Sequence, residues 1–212
     1  MLNIKEFIFS PFDVNAFVVW DEASKESAII DPGCYSNEEK NKLEKFIAEK
    51  ELKVKYLFNT HCHIDHIFGN AFVKTKFNPE FIIPKEDLFL LEMGEEQGKM
   101  FGLELDKQPK PDDYFSEEKI LSLGEISFSF IFTPGHTPGE FCIYSEKEKI
   151  CFTGDVLFKE GIGRTDLWGG NYSTLINSIK NKLFALPDDV KIYPGHGEAS
   201  TIGYEKSNNP FF

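Results

Sequence analysis

Residues 60–66 read Thr60-His61-Cys62-His63-Ile64-Asp65-His66, placing three imidazoles and one carboxylate within six consecutive positions. In an extended segment residues i and i+2 project to the same side, so His61 and His63 can reach one metal ion together. If the chain then turns into a helix, Asp65 and His66 point elsewhere and can serve a second ion. Imidazole and carboxylate are ordinary ligands of zinc and of other borderline first-row metals. Two histidines are too few for a catalytic site, which takes three protein groups plus water, so the remaining ligands must come from distant segments. Cys62 alternates away from its two neighbours and is expected to be a packed thiol.

The two other histidines lie in Thr133-Pro134-Gly135-His136-Thr137-Pro138-Gly139 and in Tyr193-Pro194-Gly195-His196-Gly197. Both follow an expected strand. Pro and Gly on either side fix a tight turn, which lets an imidazole emerge at a strand end on a rigid backbone. Thr153-Gly154-Asp155 offers a carboxylate at the same kind of position.

In this order the four motifs resemble the metallo-β-lactamase superfamily, over nearly the whole chain. Gly154-Asp155 or Pro194-Gly195-His196 alone would be weak signals; together the motifs are specific. The resemblance implies an α/β (α+β) fold, a four-layer αββα sandwich of two mixed β-sheets with helices outside, and a two-metal site along one edge of the sheets. Carried over position by position, His61, His63 and His136 would hold one metal, Asp65, His66 and His196 the second, and Asp155 would bridge both. The cofactors implied are two divalent metal ions, zinc foremost, although His/Asp ligands also accept iron and manganese.

Within that superfamily, Gly154-Asp155-Val156-Leu157-Phe158, Gly161-Ile162-Gly163-Arg164-Thr165-Asp166 and the stretch Gly195–Gly203 are similar to the one-domain relatives of glyoxalase II, the hydroxyacylglutathione hydrolases. This implies a hydrolase acting on a small-molecule acyl thioester such as S-lactoylglutathione, by a hydroxide that bridges the metals. Water held by such cations ionises near pH ~7, and a metal can stabilise the oxyanion. Asp65 would orient the hydroxide while ligating the second metal. A thiolate leaving group, with an ordinary pKa of about 8.5, needs little help from an acid, which suits a chain with no spare histidine. Full-length glyoxalase II has a helical C-terminal domain that helps to grip glutathione; here sixteen residues follow His196, and one domain over 1–212 without that addition is expected. Arg164 sits where those enzymes place a substrate-binding lysine, and Asp166 where they place a tyrosine. Arg164 is therefore the candidate for holding a substrate carboxylate in bidentate fashion, the alternative being an ion pair with Asp166.

Two rival functions follow from the same residues. Thr60-His61-Cys62-His63 and Gly163-Arg164-Thr165-Asp166 also resemble a persulfide dioxygenase branch that uses one iron, whereas the segment after His196 resembles the hydrolases. A non-catalytic metal-binding module is the rival of another class. No Gly-x-Ser-x-Gly elbow is present, so a serine hydrolase is excluded.

These residues need strands that end together. Ile4–Phe9, Ala16–Trp20, Ala28–Ile30 and Val54–Asn59 read as strands, with Asp31-Pro32-Gly33 closing the third. Ser36 and Glu39 form a capping box opening a helix to about Glu49, and another helix is compatible with the sequence after Gly69. The second half repeats the order. Alternation at 127–132, then Phe141–Tyr144, Ile150–Phe152 and Val190–Tyr193, predict strands, and Leu175, Ile176, Ile179, Leu183 and Phe184 mark a helix. Between the halves, residues 85–119 hold eleven acidic and five basic residues. A solvated surface insertion is the first expectation for this segment, and a lid over the site the second.

With 212 residues, 41% apolar residues and 22 Phe, the chain has enough apolar matter for a substantial core. Its formal charge of −12 opposes a general grip on nucleic acid, which takes clustered cations. No secretion signal and no apolar run approaching 18 residues is present, so a cytoplasmic location without membrane contact is expected. The four cysteines lack CxxC spacing and are expected to be reduced. The acidic total leaves the attraction of an anionic thioester to the metals and Arg164.

Overall fold

The computed structural model describes all residues 1–212. Six strands form the first sheet in sequence order: β1 (Leu2–Phe9), β2 (Val14–Asp21), β3 (Glu26–Ile30), β4 (Lys53–Phe58), β5 (Glu80–Ile83) and β6 (Asp113–Tyr114). The first three pair antiparallel and the rest parallel. The second sheet takes β7 (Ile120–Leu123), β8 (Ile126–Phe132), β9 (Phe141–Ser145) and β10 (Ile150–Gly154). After a two-stranded hairpin of β11 (Leu157–Phe158) and β12 (Gly161–Ile162), β13 (Lys191–Pro194) and β14 (Ser200–Thr201) complete it in the order β14-β13-β10-β9-β8-β7. Parallel pairing of β10 with β13 makes this sheet mixed as well. Seven helices accompany them: α1 (Asn37–Glu49), α2 (Ile64–Ile67), α3 (Asn70–Phe77), α4 (Leu88–Glu92), α5 (Gly94–Phe101), α6 (Tyr172–Asn181) and α7 (Ile202–Asn208).

Three apolar layers separate these elements, and β2 shows why. Side chains alternate between the faces of a strand, and β2 is buried on both. Ala16, Val18 and Trp20 pack with Leu43 and Ile47 of α1, whereas Phe17 and Val19 meet Phe128, Phe130 and Phe152 of the other sheet. On the far side, Cys151 and Ile192 pack with Leu175 and Ile179 of α6 and Ile202 of α7. Helix, sheet, sheet and helix therefore stack as expected, and much of the phenylalanine excess lies between the sheets. The capping box also forms: Glu39 N–H donates to Ser36 Oγ at 3.2 Å, and Ser36 N–H donates to Glu39 Oε2 at 2.8 Å.

Residues 85–119 depart from the solvated insertion. Leu90 and Leu91 of α4 enter the core, and two polar side chains of this segment are fully buried. Gln97 donates to Cys62 O (3.1 Å) and Leu90 O (2.8 Å) and accepts from Ile64 N–H (3.1 Å). Asp87 accepts from Cys62 N–H (3.2 Å), Thr137 Oγ1 (2.7 Å) and Gly139 N–H (2.7 Å). The acidic outer face remains in water, while the inner face braces both histidine loops.

All four cysteines are unpaired and buried. Burial pushes the Cys34 thiol up to about 12 and holds those of Cys62 and Cys142 well above the ordinary range. Since the thiolate is the reactive species, a native-state titration with an aromatic disulfide reagent should read almost no thiol, rising to four per chain in denaturant. One fast-reacting equivalent in the native protein would contradict this packing.

Candidate metal centre

Every histidine and both acidic residues singled out above converge at one end of the two sheets. The chain leaves β4 through Asn59 and Thr60, which are pinned before the histidines begin. Thr60 donates its N–H and hydroxyl to Asp31, at 2.8 and 2.7 Å, and Asn59 Nδ2 donates to His66 O at 2.9 Å. His61 and His63 then project to one side, with ring centroids 4.9 Å apart, while Cys62 turns into the core. His63 immediately precedes α2, which carries Asp65 and His66. From the second sheet come His136 after β8, Asp155 after β10 and His196 after β13.

Three overlapping donor groups result: His61, His63 and His136; His61, His66 and Asp155; and Asp65, His66 and His196, each with its ligand atoms within 4.8 Å of one another. Asp155 stands between them, with Oδ1 3.4 Å from His66 Nε2 and Oδ2 3.6 and 3.7 Å from Nε2 of His136 and His196. Asp65 Oδ2 lies 3.0 Å from His196 Nε2. His66 does not point away from the first pair: its ring centroid is 4.0 Å from that of His61, so the two groups adjoin.

This donor set fits a pair of cations. Buried polar atoms nearly always have a partner, yet His61 Nε2, His66 Nε2 and Asp155 Oδ1 have none. His63 Nδ1 and His136 Nε2 face each other at 2.8 Å. Ligating imidazoles are normally fixed through their second nitrogen, and His136 Nδ1 lies 2.7 Å from the Arg164 carbonyl, which accepts its proton. His61 Nδ1 is held by Thr60 Oγ1 at 3.2 Å, whereas His66 Nδ1 has the Asp31 carboxylate 3.1 Å away without a hydrogen bond to it.

Electrostatics divide the cluster. Burial, aided by neighbouring imidazoles, holds His61 well below its ordinary value and His63 at about 3; burial also lowers His136. These three are neutral and have lone pairs free at neutral pH. Burial works against charge on His66 too, but Asp65, Asp155 and Asp31 outweigh it and hold its pKa well above the usual range. In turn His66 outweighs burial at Asp65 and Asp155 and keeps both carboxyls below the ordinary range.

Glycine is required where the backbone passes the donors. A Cβ on Gly195 would lie 2.3 Å from Asp155 Oδ1 and 2.7 Å from His66 Cε1, and Gly154 has φ +48°. The final turn is clamped by Asn15, whose Nδ2 donates to Pro194 O (3.0 Å) and Gly197 O (2.8 Å).

A cavity of about 400 Å³ opens over the donors. Asp65, His63, His136, Asp155 and His196 form its floor, and Arg164 lies on its wall. Arg164 is paired with Asp166: Nε and Nη2 donate to the two Asp166 carboxylate oxygens, each at 2.7 Å. Sequence reasoning missed Asp31, Glu140, Asp87, Gln97 and Asn15. A detectable signal existed only for Glu140, a lone charge opening the apolar run Phe141-Cys142-Ile143.

Residues 10–196 match the family model described as the metallo-beta-lactamase superfamily. The hydroxyacylglutathione hydrolase GloC of Haemophilus influenzae is 42% identical over 212 residues, covering 99% of this chain and 98% of that protein. Among solved structures, the BLEG-1 B3 metallo-beta-lactamase superposes with a TM-score of 0.90 at 34% identity, covering 99% of both chains. TTHA1623 in a di-iron-bound form gives 0.87 at 30% identity, covering 98% of this chain and 100% of that one.

Proposed function

The chain belongs to the metallo-beta-lactamase superfamily, and from that membership we propose that this metal-dependent hydrolase cleaves acyl thioesters, S-lactoylglutathione being the reference substrate. The observation that carries the reading is the set of three overlapping donor groups beneath one cavity, linked through His61 and His66 and with Asp155 within 3.4–3.7 Å of His66, His136 and His196. His61, His63 and His136 would hold one ion, Asp65, His66 and His196 the other, and Asp155 would reach both; zinc is the expected metal. When bound, two such ions supply an ionised water at neutral pH and positive charge for a developing oxyanion.

The chain's own groups set up the rest. Asp65 lines the cavity as well as the second donor group, so its carboxylate can orient the attacking water. Beyond the donors, the only polar side chains on the cavity wall are Gln97 and Arg164, and Gln97 is held by three hydrogen bonds. Neither can protonate a departing alkoxide or amine. A thiolate, with an ordinary pKa of about 8.5, leaves unaided. That asymmetry favours a thioester over an ordinary ester or amide.

A single-iron dioxygenase would leave Asp65 and His196, 3.0 Å apart, without a role. Metal-loaded protein should carry two ions per chain, hydrolyse S-lactoylglutathione and take up no oxygen with glutathione persulfide. Two bound ions with no turnover on any thioester would instead point to a metal-binding module. The four unpaired thiols support a cytoplasmic location, and no helix is long and apolar enough to cross a membrane.

A further inference from the structure

Resting on the thioesterase reading, we propose that the cavity selects thioesters whose thiol portion is apolar or aromatic, and that Trp168, Phe158 and Phe101 are the residues that set this preference over a glutathione portion. Three walls rise from the donor floor, each faced with aromatic carbon. Trp168 stands against His63, with ring centroids 6.2 Å apart. Phe158 stands against His196 at 6.3 Å. Phe101, on the third wall, meets Phe12 edge to face at 5.3 Å. Ile162 and Leu167 fill the gaps between them. A cavity of about 400 Å³ is within the ordinary range for a small ligand, roughly 300–1,000 Å³.

What these walls lack is equally specific. A glutathione thiol carries two carboxylates, and both would reach the rim once the thioester carbonyl lies over the donors. Arg164 is the only Lys or Arg side chain lining the cavity, and one edge of its guanidinium, Nε with Nη2, is occupied by Asp166. A substrate carboxylate would share the guanidinium with the Asp166 carboxylate already on it, whose negative charge cancels most of the cation's attraction. An apolar thiol portion, by contrast, removes aromatic surface from water on three sides. Phe101 belongs to the acidic 85–119 segment, whose outer face repels an anionic ligand further.

The test uses two lactoyl thioesters with leaving thiols of similar pKa, S-lactoylglutathione and the S-lactoyl ester of benzyl mercaptan, on the metal-loaded full chain. The benzyl ester should give kcat/KM at least about tenfold higher, the scale of a well-filled apolar pocket. Trp168→Ala and Phe101→Ala should each shrink that ratio by about threefold or more, with metal content unchanged. Equal or better turnover of the glutathione ester overturns the inference while leaving the thioesterase reading intact. If neither ester is hydrolysed, the thioesterase reading fails. Calorimetric binding of two inert thioethers, S-methylglutathione and benzyl methyl sulfide, then still decides the selectivity: tighter binding of the sulfide supports it, and tighter binding of the glutathione thioether overturns it.

Discussion

Chelation should abolish hydrolysis and lower the melting temperature by roughly 16–32 °C, with both restored by adding a divalent metal back. Ligand at about a thousand times its Kd stabilises a fold by about 4 kcal/mol per site, hence about 8 kcal/mol for two ions, and in a chain of about 150–250 residues each kcal/mol moves Tm by about 2–4 °C. The stripped site is not inert. Burial disfavours charge on His66, but Asp65, Asp155 and Asp31 outweigh it and hold its pKa well above the ordinary value. Its raised value contributes stability that is present below its ordinary value of 6.5 and lost as pH rises through the folded value. The lowered values of Asp65 and Asp155 contribute stability present above 3.8 and lost as pH falls. A metal must expel the His66 proton in order to bind. Metal affinity should therefore climb with pH, and calorimetric titrations in two buffers of different ionisation enthalpy should read net proton release at neutral pH, from His66, from His196, whose pKa Asp65 and Asp155 raise against burial, and from the ionising water. A melting temperature indifferent to chelation would remove the two-ion reading.

Asp155→Asn should lower kcat by about a thousandfold or more, the scale on which losing a preorganised charge at a reacting centre is felt. The substitution keeps the side chain's volume and the Asp155 N–H bond to Glu140 Oε1 (2.7 Å). It removes the only carboxylate that approaches both His66 and His136. Metal per chain should fall from two towards one while circular dichroism stays unchanged. Retention of two tightly bound ions and near-normal kcat would show that Asp155 bridges nothing.

The spacing His61-x-His63 and the Pro-Gly turns around His136 and His196 made the donors legible, because a strand's two-residue period and a tight turn are local properties. Asp31 looked like a turn residue in Asp31-Pro32-Gly33. Its work as the acceptor that pins Thr60 depends on β3 and β4 lying side by side. Asn15 and Asp87 escaped notice for the same reason, since their partners lie in the loops after β13 and β8. In the fold, β2 and β8 announced themselves by apolar runs or alternation. β6 and β14, at two residues each, have no period to read. Sequence also could not tell which partner Arg164 keeps, because two exposed side chains can pair or part without leaving a pattern.

The donors divide between the sheets, His61, His63, Asp65 and His66 following β4 while His136, Asp155 and His196 follow strands of the second sheet. A chain still emerging from the ribosome has four donors folded or folding long before the last appears, and Asn15, near its start, has no turn to clamp until Pro194–Gly197 is made. The first ion's set is complete once Asp155 is made, whereas the second ion's set waits for His196. The two positions are therefore filled in order, and the ion taken first fixes the charge beside which the second must bind.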